Sequence, residues 1–545
     1  MKDMLDSFDH VVVVMLENRS FDNILGGLYP NGVPADAPLG KTFNGIFKDG
    51  KIKPDLTNPI PTDAPDNPDK KTEIAVSLTS NYFQPFPDPG ETYPHVNTQL
   101  FNQPDCENKG DKHPPYNLPT PVPPASMKGF VTDYIENLTY NETKHPPKSP
   151  KFEKYAQIMQ CFDPTALPVL TTLATEFAVF DQWYCSVPSQ TWCNRAFWNA
   201  GTSWGHVVNG ASSDTAHELE NTIGWVEDSI GKTIFNQIQD SASELSWKIY
   251  TDDIIPLTGI IHFRALKDHV SHFKTVYNDF MDDCKNGTLP SYSFVEPRFI
   301  LNHNDMHPSS YNKTLIDGKE AVGSVLLGEK FVLDVYNAVK NSKGDKDGKG
   351  SSWKNTLLII TFDEHGGCYD HVAPPVDAVP PCLDGKKPWM GFNYERLGIR
   401  VPMIMVSANI AKNTVVNDRM DHTSFMKTMQ EKWARTAPNK FPPLTARVEA
   451  SPEFHSSVFT SPEKRPPEDW PSPQLAKPIP ADQEKLDCSQ QPLNDLQRSI
   501  VGGAKAMMGQ TEGLKDVLDD MKVGDAQDML RDLRDMMELD DKEES

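Results

Sequence analysis

Residues 355–375 read Asn-Thr-Leu-Leu-Ile-Ile-Thr-Phe-Asp-Glu-His-Gly-Gly-Cys-Tyr-Asp-His-Val-Ala-Pro-Pro, and this stretch predicts a buried strand that ends in acidic residues. The aliphatic run from Leu357 to Ile360 is continuous, which is typical of a strand covered on both faces. Gly366 and Gly367 then allow a sharp turn. Side chains just beyond the carboxyl end of such a strand lie where open α/β sheets build their sites.

The end of this predicted strand is crowded with titratable side chains. Two adjacent acids, Asp363 and Glu364, are followed by His365, Asp370 and His371. An acidic pair alone is more often a simple turn after a strand. The density of carboxylates and imidazoles around a glycine pair favours a functional site instead.

The composition indicates a large globular protein. The chain has 545 residues, of which 38% are hydrophobic and 24% charged, enough for a sizeable core. Its 47 prolines predict long irregular connections. A formal net charge of -23 argues against nucleic acid as a partner and against electrostatic docking on anionic membranes.

The sequence offers little sign of targeting. No apolar run approaches the ~20 residues of a membrane span, and the acidic N-terminus lacks the apolar core of a signal peptide. We therefore expect a cytoplasmic protein by default, although loss of a signal or export by a signal-independent route stays open. The eight cysteines form no Cys-x-x-Cys pair, so mostly free thiols are expected. The Asn-x-Thr sequons at Asn137, Asn141, Asn286 and Asn312 are interpreted as chance.

A second strand with the same pattern opens the chain. Residues 11–16, Val-Val-Val-Val-Met-Leu, are followed directly by Glu17 and Asn18. Carboxylate and amide oxygens suit hard or borderline divalent cations. Asn18 or Ser20 capping the next helix is the alternative, and the match to the end of the other strand favours a site.

Two further stretches carry candidate residues. A Pro-rich excursion over residues 30–124 contains Asp88-Pro-Gly-Glu-Thr-Tyr-Pro-His95, where His95 is either structural or part of a site. Residues 186–195 are rich in hydroxyl groups and precede a predicted helix. A hydroxyl at a helix N-terminus is well placed as a nucleophile, because the helix dipole stabilises an alkoxide. An ordinary helix cap is the alternative there.

The rest of the chain predicts an α/β fold and a different C-terminus. A helix with apolar residues at i, i+4 and i+8 from Leu327 leads into the strand at Leu357, as in a parallel βαβ unit. Further strands are expected at 178–180, 292–298 and 401–406. We predict a catalytic domain over 1–450, a Pro-rich linker or wrapping arm over 451–492, and an acidic amphipathic helical region over 493–545. That last region is either a helical hairpin packed on the body or a module that self-associates or binds a partner.

Four motifs in order carry a resemblance to a known family. They are Glu17-Asn-Arg-Ser-Phe-Asp22, Thr191-x-x-Asn194-Arg195, Asp305-x-His307-Pro-Ser309, and Asp363-Glu-His-Gly-Gly367 with Tyr369-Asp-His371. Over residues 8–440 the chain resembles the phosphoesterase family of bacterial phosphatidylcholine-hydrolysing phospholipases C, plant non-specific phospholipases C and AcpA-type acid phosphatases. Cys193 departs from the family pattern, which usually has Pro there.

The resemblance implies the fold and the roles of the site residues. It implies an alkaline-phosphatase-like α/β fold with a central, mostly parallel sheet flanked by helices, long Pro-rich insertions and a helical C-terminal extension. The implied metal ligands are Glu17, Asn18, Asp363, Glu364 and Thr191. Thr191 is the implied nucleophile, His95 and His307 are implied contacts of the phosphate or leaving group, and Asn194 and His371 are candidate substrate-binding residues. The ligand types suit Ca²⁺ or Mn²⁺, and Zn²⁺ also accepts carboxylates.

The activity that this implies is a metal-dependent phospholipase C acting at a membrane surface through a phospho-threonine intermediate. A broad-specificity acid phosphatase is the alternative within the family, although Thr at the nucleophile position favours the phospholipases. Trp192, Trp198 and Trp204 near the nucleophile either form an apolar entrance or pack in the core. A non-catalytic binding protein predicts loss of some site residues, and all are present.

Overall fold

The structure of this chain is a computed structural model that describes residues 4–103, 114–140, 150–210, 218–308, 325–383, 386–479 and 489–544. The sequons at Asn141 and Asn312, and Ser309 of the third motif, lie outside the described residues.

An eight-stranded sheet forms the centre of the molecule. Its strands are β1 (His10–Leu16), β2 (Ala178–Phe180), β3 (Trp247–Thr251), β4 (Phe273–Thr275), β5 (Tyr292–Glu296), β6 (Thr356–Phe362), β7 (Met403–Val406) and β8 (Thr414–Val416). Their order from edge to edge is β4-β3-β5-β1-β6-β7-β2-β8. All neighbouring strands run parallel except for β7, which is antiparallel to both β6 and β2. The predicted mostly parallel α/β sheet is therefore confirmed.

The two strands singled out in the sequence are neighbours at the centre of this sheet. Val11 pairs with Leu357 and Val14 pairs with Ile360, and the register continues to Leu16 opposite Phe362. Both strands are buried on both faces, which explains their continuous aliphatic runs. Because the strands are parallel and in register, their carboxyl ends lie side by side.

Helices cover both faces of the sheet and link its strands. The helix predicted from Leu327 is α12, which joins β5 to β6 and buries Leu327, Phe331 and Val335. The helices are α1 (Phe21–Ile24), α2 (Tyr93–Phe101), α3 (Phe130–Tyr140), α4 (Phe152–Tyr155), α5 (Pro168–Glu176), α6 (Thr191–Ala200), α7 (Glu218–Asp228), α8 (Ile234–Asp240), α9 (Leu257–Ile261), α10 (Phe263–Leu266), α11 (Met281–Asn286), α12 (Val325–Asn341), α13 (His422–Trp433), α14 (Ala446–Ala450), α15 (His455–Val458), α16 (Asp495–Met507), α17 (Leu514–Asp520) and α18 (Val523–Glu544).

Four two-stranded ladders lie outside the central sheet in the described part of the chain. Two of them are short antiparallel ladders within the Pro-rich excursion. The ladders pair Phe47–Lys48 with Lys51–Ile52, Thr57–Pro59 with Glu73–Ala75, Ser77–Thr79 with Gln160–Phe162, and Trp183–Tyr184 with Met420–Asp421.

The tryptophans near the predicted nucleophile pack mainly in the interior. Trp192 and Trp198 are fully buried, and Trp198 stacks on Phe425 with ring centroids 4.5 Å apart. Trp204 is half-buried. Core packing rather than an apolar entrance therefore describes Trp192 and Trp198.

The Pro-rich segment after residue 450 lies against the body. Trp470 is buried and packs edge-on against Phe177 of the core, with ring centroids 5.1 Å apart. Tyr336 on α12 donates its hydroxyl hydrogen to the carbonyl of Pro471 at 2.7 Å. The segment therefore contacts the body at these points, and its description as a linker or wrapping arm over 451–492 stays a prediction.

The C-terminal helices also pack on the body. Ile500 and Val501 on α16 are buried in one cluster with Trp192 and Ile260. Gln497 donates hydrogen bonds to the carbonyls of Phe299 and Ile300 at 3.0 and 2.8 Å. This packing favours the alternative of helices docked on the body, while self-association and the domain boundaries stay predictions. Within the described ranges, every helix is too short or too polar to cross a bilayer.

Candidate functional site

The adjacent ends of β1 and β6 bring their acidic residues together. The backbone N–H of Asn18 donates to Asp363 Oδ1 at 3.1 Å. Asn18 adopts a left-handed conformation with φ 57°, and its carbonyl approaches Gly366 so closely that a Cβ there would lie 2.1 Å away. Only glycine fits at position 366. Its lack of a side chain lets the turn after β6 pack directly against the backbone of Asn18, just after β1.

The predicted nucleophile lies at the first position of α6 and faces the end of β1. Thr191 Oγ1 donates to Glu17 Oε2 at 2.9 Å and is 3.4 Å from Asn18 Oδ1. All three side chains are fully buried. The hydroxyl is thus placed at the N-terminus of a ten-residue helix, where the dipole stabilises negative charge on oxygen.

Arg195, one turn after Thr191 on α6, binds the acidic residues that surround Thr191. Its guanidinium forms an ion pair with Glu17 and donates to Glu296 Oε1 at 3.3 Å and to the Met15 carbonyl at 3.1 Å. Asp363 Oδ2 lies 3.8 Å from its Nε. With these contacts inside the protein, Arg195 orients Glu17 and fixes α6 relative to the sheet.

Glu91, on the loop before α2, completes the cluster of carboxylates. Its Oε2 accepts a hydrogen bond from the Asn18 side-chain amide. Because this amide points its N–H₂ at Glu91, its oxygen faces Thr191. Burial raises the pKa of Glu91 well above its usual range, and the neighbouring carboxylate of Glu364 raises it further.

Buried carboxyl groups outnumber the buried guanidinium of Arg195 among the described residues of this site. Burial raises the pKa values of Glu17 and Glu364 well above the usual range, and Asp363 raises both further. Asp363 Oδ2 and Glu364 Oε1 are buried and have no hydrogen-bond partner among the described residues. Buried carboxylates with unsatisfied oxygens are what a divalent cation needs, so the residues present fit a metal ion.

A chain of polar contacts connects this cluster to His95, and all of them after the first, between His365 and Glu364, are hydrogen bonds. His365 Nδ1 lies 3.2 Å from Glu364 Oε2, and its Nε2 donates to Gln99 Oε1 at 2.7 Å. Gln99 Nε2 donates to Asp133 Oδ2 at 2.7 Å, and the other oxygen of Asp133 is 2.7 Å from His95 Nδ1. The imidazole of His95 is thus oriented by a carboxylate, as in many acid–base pairs.

His307 lies on the loop after β5, on the side of the cluster formed by Glu91. Its backbone N–H donates to Asp305 Oδ1 at 2.8 Å, and its Nδ1 lies 2.7 Å from the Pro308 carbonyl. Its Nε2 is 4.0 Å from Glu91 Oε1. Burial lowers the pKa of His307 below its usual value, so the imidazole is held neutral.

Comparison with known proteins identifies the family. The model of the Phosphoesterase family matches residues 8–434, which is more than three quarters of the chain. The chain belongs to the Phosphoesterase family.

Relatives of this Phosphoesterase family member include plant and bacterial proteins named phospholipase C. It is 32% identical over 435 residues to non-specific phospholipase C1 of Arabidopsis thaliana, covering 77% of this chain and 66% of that relative, just under two thirds of its length. It is 24% identical over 499 residues to phospholipase C B of Mycobacterium tuberculosis strain H37Rv, covering 84% of this chain and 78% of the relative.

The chain is also similar to one solved structure from Vibrio parahaemolyticus, described as a protein in the alkaline phosphatase superfamily. The match covers 58% of this chain and 65% of the chain in that structure. Its sequence identity is 13% and its TM-score 0.27, a likeness too low to bear on the fold.

Asn194, one of the two candidate substrate-binding residues of this phosphoesterase, binds backbone groups of the preceding loop. The Asn194 side chain accepts from the Val187 N–H at 2.9 Å and donates to the carbonyls of Val187 and Ser189 at 3.1 and 2.9 Å. It therefore shapes the loop that leads into α6. Contact of Asn194 with substrate stays a prediction.

His371 belongs to a second polar cluster of the phosphoesterase. Its Nδ1 lies 2.5 Å from Asp22 Oδ2, and its Nε2 lies 3.0 Å from Asn44 Oδ1. Arg400 binds Asp22 and Asp370 at 3.0 Å each and supplies the cation of this cluster. The structure thus groups His371 with Asp22 rather than with Thr191, and its role in substrate binding stays a prediction.

Glu91 is the residue that sequence reasoning missed in this phosphoesterase. Its only sequence signal is its place four positions before His95 in a Pro- and Gly-rich stretch. Glu91 does not follow a strand or lie in a helical pattern. It is brought to the site by the folding of an irregular loop, which leaves no periodic signal in the sequence.

Proposed function

We propose that this chain is a metal-dependent phospholipase C. It hydrolyses glycerophospholipids such as phosphatidylcholine to diacylglycerol and a phosphorylated head group through a phospho-threonine intermediate. The observation that carries the proposal is the 2.9 Å hydrogen bond from Thr191 to Glu17 at the start of α6, within a cluster of buried carboxylates. Membership of the Phosphoesterase family and the similarity to proteins named phospholipase C support it.

The residues that would hold the cation are Glu17, Asn18, Asp363, Glu364 and Thr191. When bound, a divalent cation supplies Lewis-acid polarisation of a phosphoryl oxygen and lowers the pKa of a neighbouring hydroxyl. The side-chain atoms that these five residues offer as ligands are all oxygens. Oxygen ligands suit Ca²⁺ or Mn²⁺, and Zn²⁺ also accepts carboxylates.

In the first step, Thr191 Oγ1 attacks phosphorus and transfers its proton to Glu17 Oε2, which already accepts its hydrogen bond at 2.9 Å. The new bond joins Oγ1 to phosphorus, and the bond from phosphorus to the diacylglycerol oxygen breaks. The first-turn N–H groups of α6 stabilise the negative charge that develops. Arg195 keeps Glu17 in place during this transfer through its ion pair.

The departing diacylglycerol oxygen takes a proton from a histidine, which is either His95 or, once it has gained a proton at Nε2, His307. Asp133 orients His95, and Asp305 orients the backbone of His307. Water then attacks the phospho-threonine, gives one proton to that histidine and bonds to phosphorus through its oxygen. Thr191 leaves with the proton held by Glu17 as the phosphorylated head group is released. The substrate is a lipid at a bilayer surface, and a net charge of -23 favours a zwitterionic surface over an anionic one.

The proposal is tested with phosphatidylcholine vesicles and p-nitrophenyl phosphate side by side. Diacylglycerol and phosphocholine released by the wild type, and not by Thr191→Ala, would support a phospholipase C. Fast phosphate release from the small ester with intact vesicles would place the chain with the acid phosphatases of the family. Hydrolysis of both by Thr191→Ala would overturn the phospho-threonine mechanism.

A further inference from the structure

A second group of possible metal ligands lies on the far side of Glu91 from Asn18. It consists of Asp88, Glu91 and His307, and one ligand atom from each lies within 4.8 Å of the others. Glu91 and His307 are almost fully buried, with 4% and 2% of their surface exposed. The residues come from two loops, one before α2 and one after β5, which the fold brings together.

The hydrogen bonds of His307 determine which of its nitrogens carries hydrogen. The Pro308 carbonyl can only accept, so Nδ1, at 2.7 Å from it, is the donor. In the neutral imidazole, Nε2 then presents a lone pair. Nε2 is buried and has no hydrogen-bond partner among the described residues. Nε2 lies 4.0 Å from Glu91 Oε1, and Asp88 Oδ1 lies 3.7 Å from Nδ1 of the same ring.

A lone pair that faces a carboxylate oxygen across a short gap is unfavourable unless a proton or a metal cation lies between them. At 4.0 Å the gap is too long for a hydrogen bond from a protonated Glu91. Arg19 is a buried cation that interacts electrostatically with Asp88. Its own N–H groups bind the carbonyls of Met306 and Gln84 at 2.8 and 2.7 Å and Asn23 Oδ1 at 3.3 Å. The space between His307 Nε2 and Glu91 therefore has acceptors on both sides.

We propose that Asp88, Glu91 and His307 form a second divalent-cation site, next to the cation site of the proposed function. One imidazole nitrogen with two carboxylates suits a borderline ion such as Zn²⁺ or Mn²⁺ better than Ca²⁺, which prefers oxygen ligands alone. The ligand atoms have to move closer together to bind one ion, since donor atoms around tetrahedral Zn²⁺ are ~3.3–3.5 Å apart for bond lengths of ~2.0–2.1 Å.

Glu91 links the two sites physically. It accepts from the Asn18 amide, and Glu364 acts on it electrostatically. Paired cations are a recurrent arrangement in enzymes that displace groups at phosphorus. The catalytic role of the second cation site rests on the proposed function. The existence of the site does not, since metal binding can be measured without any substrate. It leaves His95 as the proton donor to the leaving group, because a metal-bound His307 has no proton to give at Nε2.

Metal stoichiometry tests the proposal. The full chain is stripped with a chelator, loaded with excess Zn²⁺, desalted and measured by elemental mass spectrometry. We expect two equivalents in the wild type and one in His307→Ala. Asp88→Asn is the second variant and should lower the affinity for the second equivalent at least ~10-fold. His10→Ala is the matched control, because His10 begins β1 at the opposite end of the strand and should leave both equivalents bound.

One equivalent in the wild type, or two in both His307→Ala and Asp88→Asn, would overturn the second site. The thermal midpoint of each variant shows whether it is folded, and a misfolded His307→Ala leaves Asp88→Asn to decide. Measuring phosphatidylcholine hydrolysis separates the absence of the second cation site from failure of the proposed function. A wild type that hydrolyses phosphatidylcholine with a single equivalent keeps the proposed function and loses only the second site. Two equivalents without hydrolysis would keep the site and remove the function.

Discussion

Thr191 and Glu17 are 174 positions apart in the sequence, and the threonine hydroxyl donates to the glutamate carboxylate at 2.9 Å. Each residue lies at the end of a different element, one at the start of α6 and the other just after β1. Arg195 fastens the two elements together by binding Glu17 from the same helix that carries Thr191. This one arrangement supplies a nucleophile, a proton acceptor and the support for both.

Thr191→Ala should lower kcat for phosphatidylcholine at least ~10³-fold, because it removes the attacking oxygen. Thr191→Ser is the matched control and should keep substantial activity, since it retains the hydroxyl at the helix N-terminus. The thermal midpoints of the two variants should differ little. Activity of Thr191→Ala near that of the wild type would remove Thr191 from the nucleophile role.

Asp363→Asn should lose metal as well as rate, because it replaces a carboxylate ligand by a neutral amide. We expect a lower metal content after desalting and a fall in kcat/KM of at least ~10²-fold. Asp370→Asn serves as a comparison, since Asp370 binds Arg400 in the other cluster. Full metal occupancy in Asp363→Asn would show that the ligand set is wrong.

Removal of metal should make the stability of the protein depend on pH. Burial raises the pKa values of Glu17, Glu91 and Glu364 well above 4.5 in the folded chain. Groups with raised pKa values stabilise the fold when protonated, so this stability is present below pH ~4.5 and is lost as pH rises through the folded pKa values. Chelator-treated protein should therefore lose thermal stability above pH ~5, and added metal should restore it.

The comparison of thermal midpoints at pH 5 and pH 8, each with and without chelator, checks this expectation. In Asp363→Asn the effect of pH on the metal-free protein should be smaller, because one of the repelling carboxylates is gone. Equal midpoints at both pH values in the chelated wild type would contradict the account of buried, mutually repelling acids.

Glu329 on α12 caps the start of α5 from the side. Its two carboxylate oxygens accept from the backbone N–H groups of Val169 and Leu170 at 2.8 Å each. Glu329→Ala should lower the free energy of unfolding by roughly 2–4 kcal/mol, because two buried N–H groups lose their acceptor. Glu329→Gln keeps one acceptor and should cost less. Urea denaturation measures both, and equal stability of Glu329→Ala and the wild type would refute the capping role.

Gly503 on α16 makes close contact with the helix of the nucleophile. A Cβ at this position would lie 2.7 Å from a ring carbon of Trp192 and 2.8 Å from Ile260 Cγ2. Gly503→Val should therefore destabilise the docking of the C-terminal helices by roughly 1–3 kcal/mol. Ala506→Val, at a half-buried position on the same helix, is the control for β-branching. Faster proteolysis of the C-terminal region in Gly503→Val alone is the expected result.

Much of the fold follows from local sequence patterns. The aliphatic runs at Val11 and Leu357 have no polar alternation, so they predict strands covered on both faces, and both lie at the centre of the sheet. The apolar spacing from Leu327 predicts α12 for an equally local reason. The antiparallel direction of β7 was not predicted, because a short buried strand carries no signal of its direction.

The sequence by itself determined which residues end the two central strands, and with them Glu17, Asn18, Asp363 and Glu364. A parallel sheet places the carboxyl ends of neighbouring strands together, so adjacency follows once both strands are recognised. Tertiary structure alone decided that Glu91 joins this cluster, that Arg195 is held within it, and that His371 pairs with Asp22 instead. Those contacts join segments far apart in the chain through irregular loops, whose paths are set by packing rather than by any periodic pattern in the sequence.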